Sequence, residues 1–228
     1  MPWNAPQRPA AYAEQALISA ILDGIYPPHS ALPGERELAA QLGVTRPTLR
    51  ETLQRLGRDG WLDIQHGKST RVTDYWRQGG LNVLNALVRH ATDLPEDFIP
   101  NLLEVRLAMA PAYTYWAVVR SRGEVLKLLA AIENLEDSPD AYAVFDWHLH
   151  QTLGVASRNP VFSLILNGFA DFYPVLAEKY FQNSTSRRAS LIFYLALRTA
   201  AEQNDPEGAS QIARQAMQES IDLWKGNI

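Results

Sequence analysis

From Ala10 to Leu22, the apolar residues Tyr12, Ala16, Leu17, Ala20 and Ile21 recur at helical spacing, which predicts a first helix. Gly24 stands where a helix-ending glycine belongs, and Tyr26-Pro27-Pro28 forces an extended connection. A short helix is expected over Glu35 to Leu42, with Glu35 and Glu37 near its positive end and Gly43 closing it. Val44 is an apolar turn residue. Thr45 is a good N-cap for the next helix, and Pro47 falls in its first turn, where a missing N–H costs nothing. That helix runs to about Asp59, with Leu49, Leu53 and Leu56 on its core face. After Gly60 the pattern changes. Trp61 to Ile64 and Thr70 to Val72 read as two short strands around a turn at 65–69 that contains Gly67. Helix, tight turn, second helix and hairpin make a winged helix-turn-helix.

Beyond a junction at 73–80 the strand signals stop. Leu81, Leu84, Leu87 and Val88 mark one short helix. Helical patterns follow at roughly 96–121, 122–136, 139–157, 160–182, 186–203 and 206–225, with short proline-bearing loops at Pro139, Pro160 and Pro206. Pro100 and Pro111 make a late start or a kink in the first of them. The expected fold is mainly α: a winged domain at 1–76, a linker helix and connection at 77–95, and an α-helical bundle at 96–228 whose core could hold a ligand between its helices. Residues 1–9, with three prolines, are expected to form a frayed arm.

Composition narrows the class. The chain has no cysteine, which removes disulfides and thiolate metal sites. It has no secretory leader pattern and no apolar run near the ~18 residues that cross a bilayer, so a cytoplasmic protein with no membrane partner is expected. A net charge of −4 at first argues against a nucleic-acid partner. Its distribution reverses that reading. Residues 30–72 hold seven basic against five acidic side chains, whereas 77–228 hold thirteen against seventeen. Charges are screened beyond about 8 Å, so a phosphate backbone feels the local surplus.

The chemistry follows the pattern. Arginine at the start of a recognition helix can donate two hydrogen bonds to a guanine, and threonine can reach a phosphate or a thymine methyl. Thr45, Arg46, Thr48 and Arg50 are the right types in the right place, and Arg36 can approach from the preceding helix. A wing tip of His66, Gly67 and Lys68 suits a narrow groove, because glycine lets the backbone come close. Trp61 is expected in the core, and Arg55 and Arg58 are expected to be solvated or near phosphate. The later part of the chain offers no nucleophile elbow, no phosphate loop and no general base matched to a nucleophile, so it is not expected to be an enzyme. Arg106, in a largely apolar helix, needs an anionic partner, either a ligand or a protein carboxylate.

The run PGERELAAQLGVTRPTLRETLQRLGRDGWLDIQHGKST resembles the DNA-binding domain of the GntR family of bacterial repressors. Within it, VTRPTLRE and IQHGK resemble the FadR-like, acyl-CoA-responsive regulators of fatty-acid metabolism. So do NLLEVR at 101–106, RNPVFSLILNG and FYPVLAEKYFQN at 158–183, and ESIDLW at 219–224. The resemblance implies a homodimer on a palindromic double-stranded DNA operator. It places Arg36, Thr45, Arg46, Thr48, Arg50, His66 and Gly67 at the DNA. It also implies that long-chain acyl-CoA is the effector and that no cofactor is held. Arg106, Ser220 and Trp224, with Tyr173, Tyr180, Phe181 and Tyr194 as tunnel lining, are the candidate ligand residues. Where the resemblance calls for a glycine, three residues before Ser220, this chain has Met217. An alternative effector is a small organic acid, with or without a metal at Asp146 and His150. Related helical domains complete such a site with two later histidines, but those places fall at about Tyr194 and Ala216 here, so no metal is expected.

Overall fold

A computed structural model describes residues 9–90 and 95–226, and the chain divides into two compact units, Met1–Leu94 and Pro95–Ile228. The proline-rich start at 1–8 lies outside the described residues, as do 91–94 of the expected linker connection.

In the first unit, α1 (Pro9–Leu22) buries Ala13, Leu17, Ile18 and Ile21 and packs on α3 (Arg46–Asp59), which buries Leu49, Leu53 and Leu56. Between them in sequence, α2 (Glu35–Leu42) ends at Gly43 in the left-handed region. The hairpin is shorter than the pattern suggested: β1 (Leu62–Asp63) pairs antiparallel with β2 (Arg71–Val72), Leu62 opposite Val72. The connection before α2 does more than link. His29 N–H donates to Val72 O at 2.8 Å, Val72 N–H to Ser30 O at 3.0 Å and Leu32 N–H to Thr70 O at 2.9 Å. The other edge of β2 is thereby paired, an arrangement that Pro27 and Pro28 hid in the sequence. Trp61 is buried, as expected. A one-turn helix, α4 (Tyr75–Gln78), precedes α5 (Leu81–His90), which packs on α1.

The second unit is wholly helical among the described residues. Its axis is α6 (Phe98–Leu129), which packs most extensively on α11 (Pro206–Gly226) and then on α7 (Pro139–Ala156). The first two expected helices are thus continuous apart from a non-helical Ser121 (φ −152°), with a 3-10 turn at Ala130–Asn134. Pro100 sits in the first turn, where the lost N–H is free anyway, and Pro111 is buried inside the helix. The expected helix at 160–182 is two: α8 (Pro160–Asn167) and α9 (Tyr173–Phe181). Pro174 explains the break, because it fits a first turn but cannot accept continuation from a preceding one. The last layer is α10 (Ser184–Glu202), packed on α11.

Candidate nucleic-acid interface and effector site

The N-terminus of α3 is built by its cap. Thr45 is extended, and its hydroxyl accepts from Thr48 N–H at 3.3 Å and meets the Thr48 hydroxyl at 2.9 Å. Both threonines are therefore committed first to the helix. Arg36 and Arg46 are exposed, and among the described residues neither makes an ion pair. Arg50 is also exposed, but its Nε donates to Glu35 Oε2 at 2.6 Å. The wing tip is shaped by Gly67 at φ 74° and by Lys68 N–H donating to Gln65 O, which leaves His66 and Gly67 exposed. Arg55 stays partly exposed, at 36%, but is tied down. It pairs with Glu14 of α1 at 2.7 Å and Glu51 at 3.2 Å, so it ties helices together.

In the second unit, an apolar cavity of about 90 Å³ lies between α6, α7, α8, α9 and α11. From α6 it takes Ile99, Leu102, Leu103, Arg106, Met109 and Tyr113; apart from the adjacent pair at 102–103 they recur every three or four residues and so share one helix face. From α9 and α11 come Tyr173, Tyr180, Phe181, Ser220 and Trp224, which joins the predicted lining residues together. Tyr194 is the exception. It is fully buried on α10 and does not reach this cavity. Its hydroxyl instead donates to Asp146 Oδ1 at 2.8 Å, so it supports the polar cluster behind the wall. Periodicity could not make that distinction, because both positions are equally apolar in pattern. Ser220 donates to Met217 O at 2.7 Å, and Met217 is buried in the core. Trp224 lies under the Lys179 ammonium, 5.7 Å from its ring centre.

The polar cluster answers what Arg106 pairs with. Arg106 Nη2 donates to Asp146 Oδ2 at 2.6 Å and also to His150 Nε2. Tyr173 hydroxyl donates to the same carboxylate oxygen, and Tyr113 hydroxyl meets His150 Nδ1 at 2.7 Å. Because Nε2 accepts from the guanidinium, the His150 proton belongs on Nδ1. Burial opposes the Arg106 charge, but Asp146 together with Tyr173, Tyr113 and Tyr194 outweighs it and holds the guanidinium firmly protonated. Burial likewise opposes the Asp146 charge, and Arg106, with help from the tyrosine hydroxyls, still holds its carboxyl below the usual range. Burial, reinforced by Arg106, pushes His150 down to about 3, so it is neutral. Burial raises Tyr113, Tyr173 and Tyr194, and Tyr180 is pushed up to about 12. The cluster is therefore one fixed cation, one fixed anion and neutral donors around them. Arg106 Nε is buried without an acceptor.

Asp146 and His150 do lie together, as their spacing requires, but the donor set does not fit a metal. The guanidinium occupies the cation's place between them, and a phenol stands where a further imidazole was sought. Among the described residues no group of three or more His, Cys, Asp or Glu could hold an ion. Sequence reasoning missed Tyr113, which lies seven residues after Arg106 and hence on its face, a signal that was available. It also missed Phe169 and Phe172, which join the lining only because the chain turns between α8 and α9.

Known proteins sharpen this picture. The family described as bacterial regulatory proteins, gntR family, matches residues 9–72, and the FadR C-terminal domain family matches 73–227. The fatty acid metabolism regulator protein of Edwardsiella ictaluri (strain 93-146) is 41% identical over 220 residues, covering 96% of this chain and 92% of that protein. That of Shewanella amazonensis (strain ATCC BAA-1098 / SB2B) is 43% identical over 200 residues, covering 86% and 82%. A solved structure of Lar, which controls expression of the Listeria monocytogenes agr system, matches with a TM-score of 0.66 at 14% identity, covering 98% of this chain and 99% of that one, a likeness of fold. No helix among the described residues is long and apolar enough to cross a membrane. With a winged reading head, a bundle enclosing an apolar cavity and relatives alike over nearly their whole length, the chain belongs to the GntR family of bacterial transcription regulators, in its FadR-like branch of fatty-acid-metabolism regulators, and is not an enzyme.

Proposed function

We propose that the protein acts in the cytoplasm as a homodimer on a palindromic operator and is released from it by long-chain acyl-CoA. In this reading Arg36, Thr45, Arg46, Thr48 and Arg50 face the major groove, and His66 and Gly67 face the minor groove. The helix at 81–90 links the two functions. The observation that carries the effector assignment is the cavity at Arg106, Tyr173, Tyr180, Phe181, Ser220 and Trp224. Its lining is apolar and aromatic, with a few polar groups at its wall, which suits a fatty chain bearing a polar head. A buried N–H on Arg106 that lacks an acceptor suits a ligand carbonyl.

The cavity's size bears on release. About 90 Å³ is far less than the several hundred Å³ of a typical ligand site. A long acyl chain therefore fits only if the walls move, and a ligand that fits one arrangement better than another shifts the equilibrium between them. DNA binding and ligand binding are then coupled reciprocally. The test is a titration of a labelled operator complex with oleoyl-CoA, with free coenzyme A and with small carboxylates. Loss of DNA binding with oleoyl-CoA alone is expected. Release by a small carboxylate, or no release by any acyl-CoA, would discard the effector assignment.

A further inference from the structure

We infer that Glu35 is a positioning residue for base readout: it holds Arg50 by Nε so that the two terminal nitrogens point outward as a guanine-reading fork. This rests on the reading of α3 as the base-contacting helix. The three arginines near that helix start are not equivalent. Arg36 and Arg46 make no ion pair among the described residues, whereas Arg50 Nε donates to Glu35 Oε2 at 2.6 Å across the α2–α3 turn. Both side chains are substantially exposed, 59% for Arg50 and 37% for Glu35. An exposed pair of this kind contributes little to folding, so stability does not account for an acid among the cations of a phosphate-facing surface.

Geometry does account for it. A guanidinium has five N–H donors, one on Nε and four on the terminal nitrogens. With Nε committed to Glu35, the terminal pair is free to donate to guanine O6 and N7. Adenine offers one acceptor and one donor on that edge and is refused. An unrestrained arginine can instead swing to a phosphate, which carries no sequence information. Fixing the side chain beforehand also reduces the rotamer freedom lost on binding. The carboxylate itself repels the DNA backbone, so Glu35 gives up affinity on every sequence for discrimination at one position.

The experiment selects full-length protein against duplexes randomised across a half-site and sequences the bound fraction. Wild type, Arg50→Ala, Glu35→Met and the double variant are compared. Methionine keeps the length and the helix but accepts no such bond. The base position that loses its guanine preference in Arg50→Ala should lose it roughly fivefold or more in Glu35→Met. The other positions should hold their preferences, which also shows that the domain is folded, and the double variant should match Arg50→Ala. Retained guanine preference in Glu35→Met, or equal flattening at every position, would overturn the inference while leaving Arg50 as a reader. An Arg50→Ala variant with no altered position would remove the reading of Arg50 itself, and the role of Glu35 with it.

Discussion

The cost of burying Arg106 is met by its neighbours. A guanidinium in an apolar wall needs a paired anion and hydrogen-bond acceptors: Asp146 and His150 supply them to Nη2, three tyrosines hold those two partners in place, and Nε is left without an acceptor. His150 adds a pH dependence with a definite sign. Its pKa is depressed from 6.5 to about 3 in the folded state, so the unfolded chain binds more protons between those values. Its contribution to stability is complete above pH 6.5 and is lost as pH falls towards 3. The depressed Asp146 carboxyl acts in the same direction lower down, below its ordinary 3.8. His150→Gln, which can keep an acceptor for Arg106 and a donor for Tyr113, should flatten the acid limb. Denaturant unfolding between pH 7 and 4 should show a slope shallower by up to about 1.4 kcal/mol per pH unit. An unchanged slope would show that His150 titrates normally.

At the level of elements, the recognition helix is locked to the helix after the wing. Gly60 closes α3 at φ 93°, and a Cβ there would lie 3.1 Å from Gln78 O and Gly79 Cα. A Cβ on Gly79 would lie 2.4 Å from Tyr75 O and 2.9 Å from the Val83 side chain. Asn82 donates to Asp59 Oδ1 at 2.8 Å across the same seam. The end of α3 thus meets the α4–α5 connection at Gln78 and Gly79 through backbone, and Gly79 is itself pressed between Tyr75 O and the Val83 side chain. Gly79→Ala should cost about 1–3 kcal/mol in urea unfolding as an overpacked contact. Gly80→Ala, whose Cβ meets open space, should stay within about 0.5 kcal/mol of the parent. Equal effects at the two glycines would rule out tight packing of Gly79 at the α4–α5 connection.

For the whole molecule, the two units carry opposite demands. On the proposed function, the first must present cations to DNA, and the second must enclose an apolar chain. The charge division follows, with the acidic surplus confined to 77–228. On the proposed effector role, acyl-CoA at one hundred times its dissociation constant should stabilise the second unit by about 2.7 kcal/mol, read as a raised melting transition. Free coenzyme A, which leaves the cavity unfilled, should give little shift. Equal stabilisation by both would place the binding energy in the head group and take it away from the cavity.

The winged domain was largely legible from residues alone because its signals are local. Gly43, Thr45, Pro47 and Gly60 each fix one backbone feature through their own chemistry, and the spacing of Leu49, Leu53 and Leu56 sets the buried face. Most helices of the bundle, and the placing of Asp146 and His150 on one face of α7, were legible for the same reason, but the continuity of α6 past Ser121 and the break between α8 and α9 were not. What only tertiary structure decided was which residues from distant helices share a wall. Tyr194 supports Asp146 from behind rather than lining the cavity, Arg106 takes the place where a metal was considered, and Glu35 grips Arg50 across fifteen residues. Caps and periodicity act within a few residues of chain. Burial, pairing and the shape of a cavity depend on contacts between elements, which the pattern along one strand of sequence does not specify.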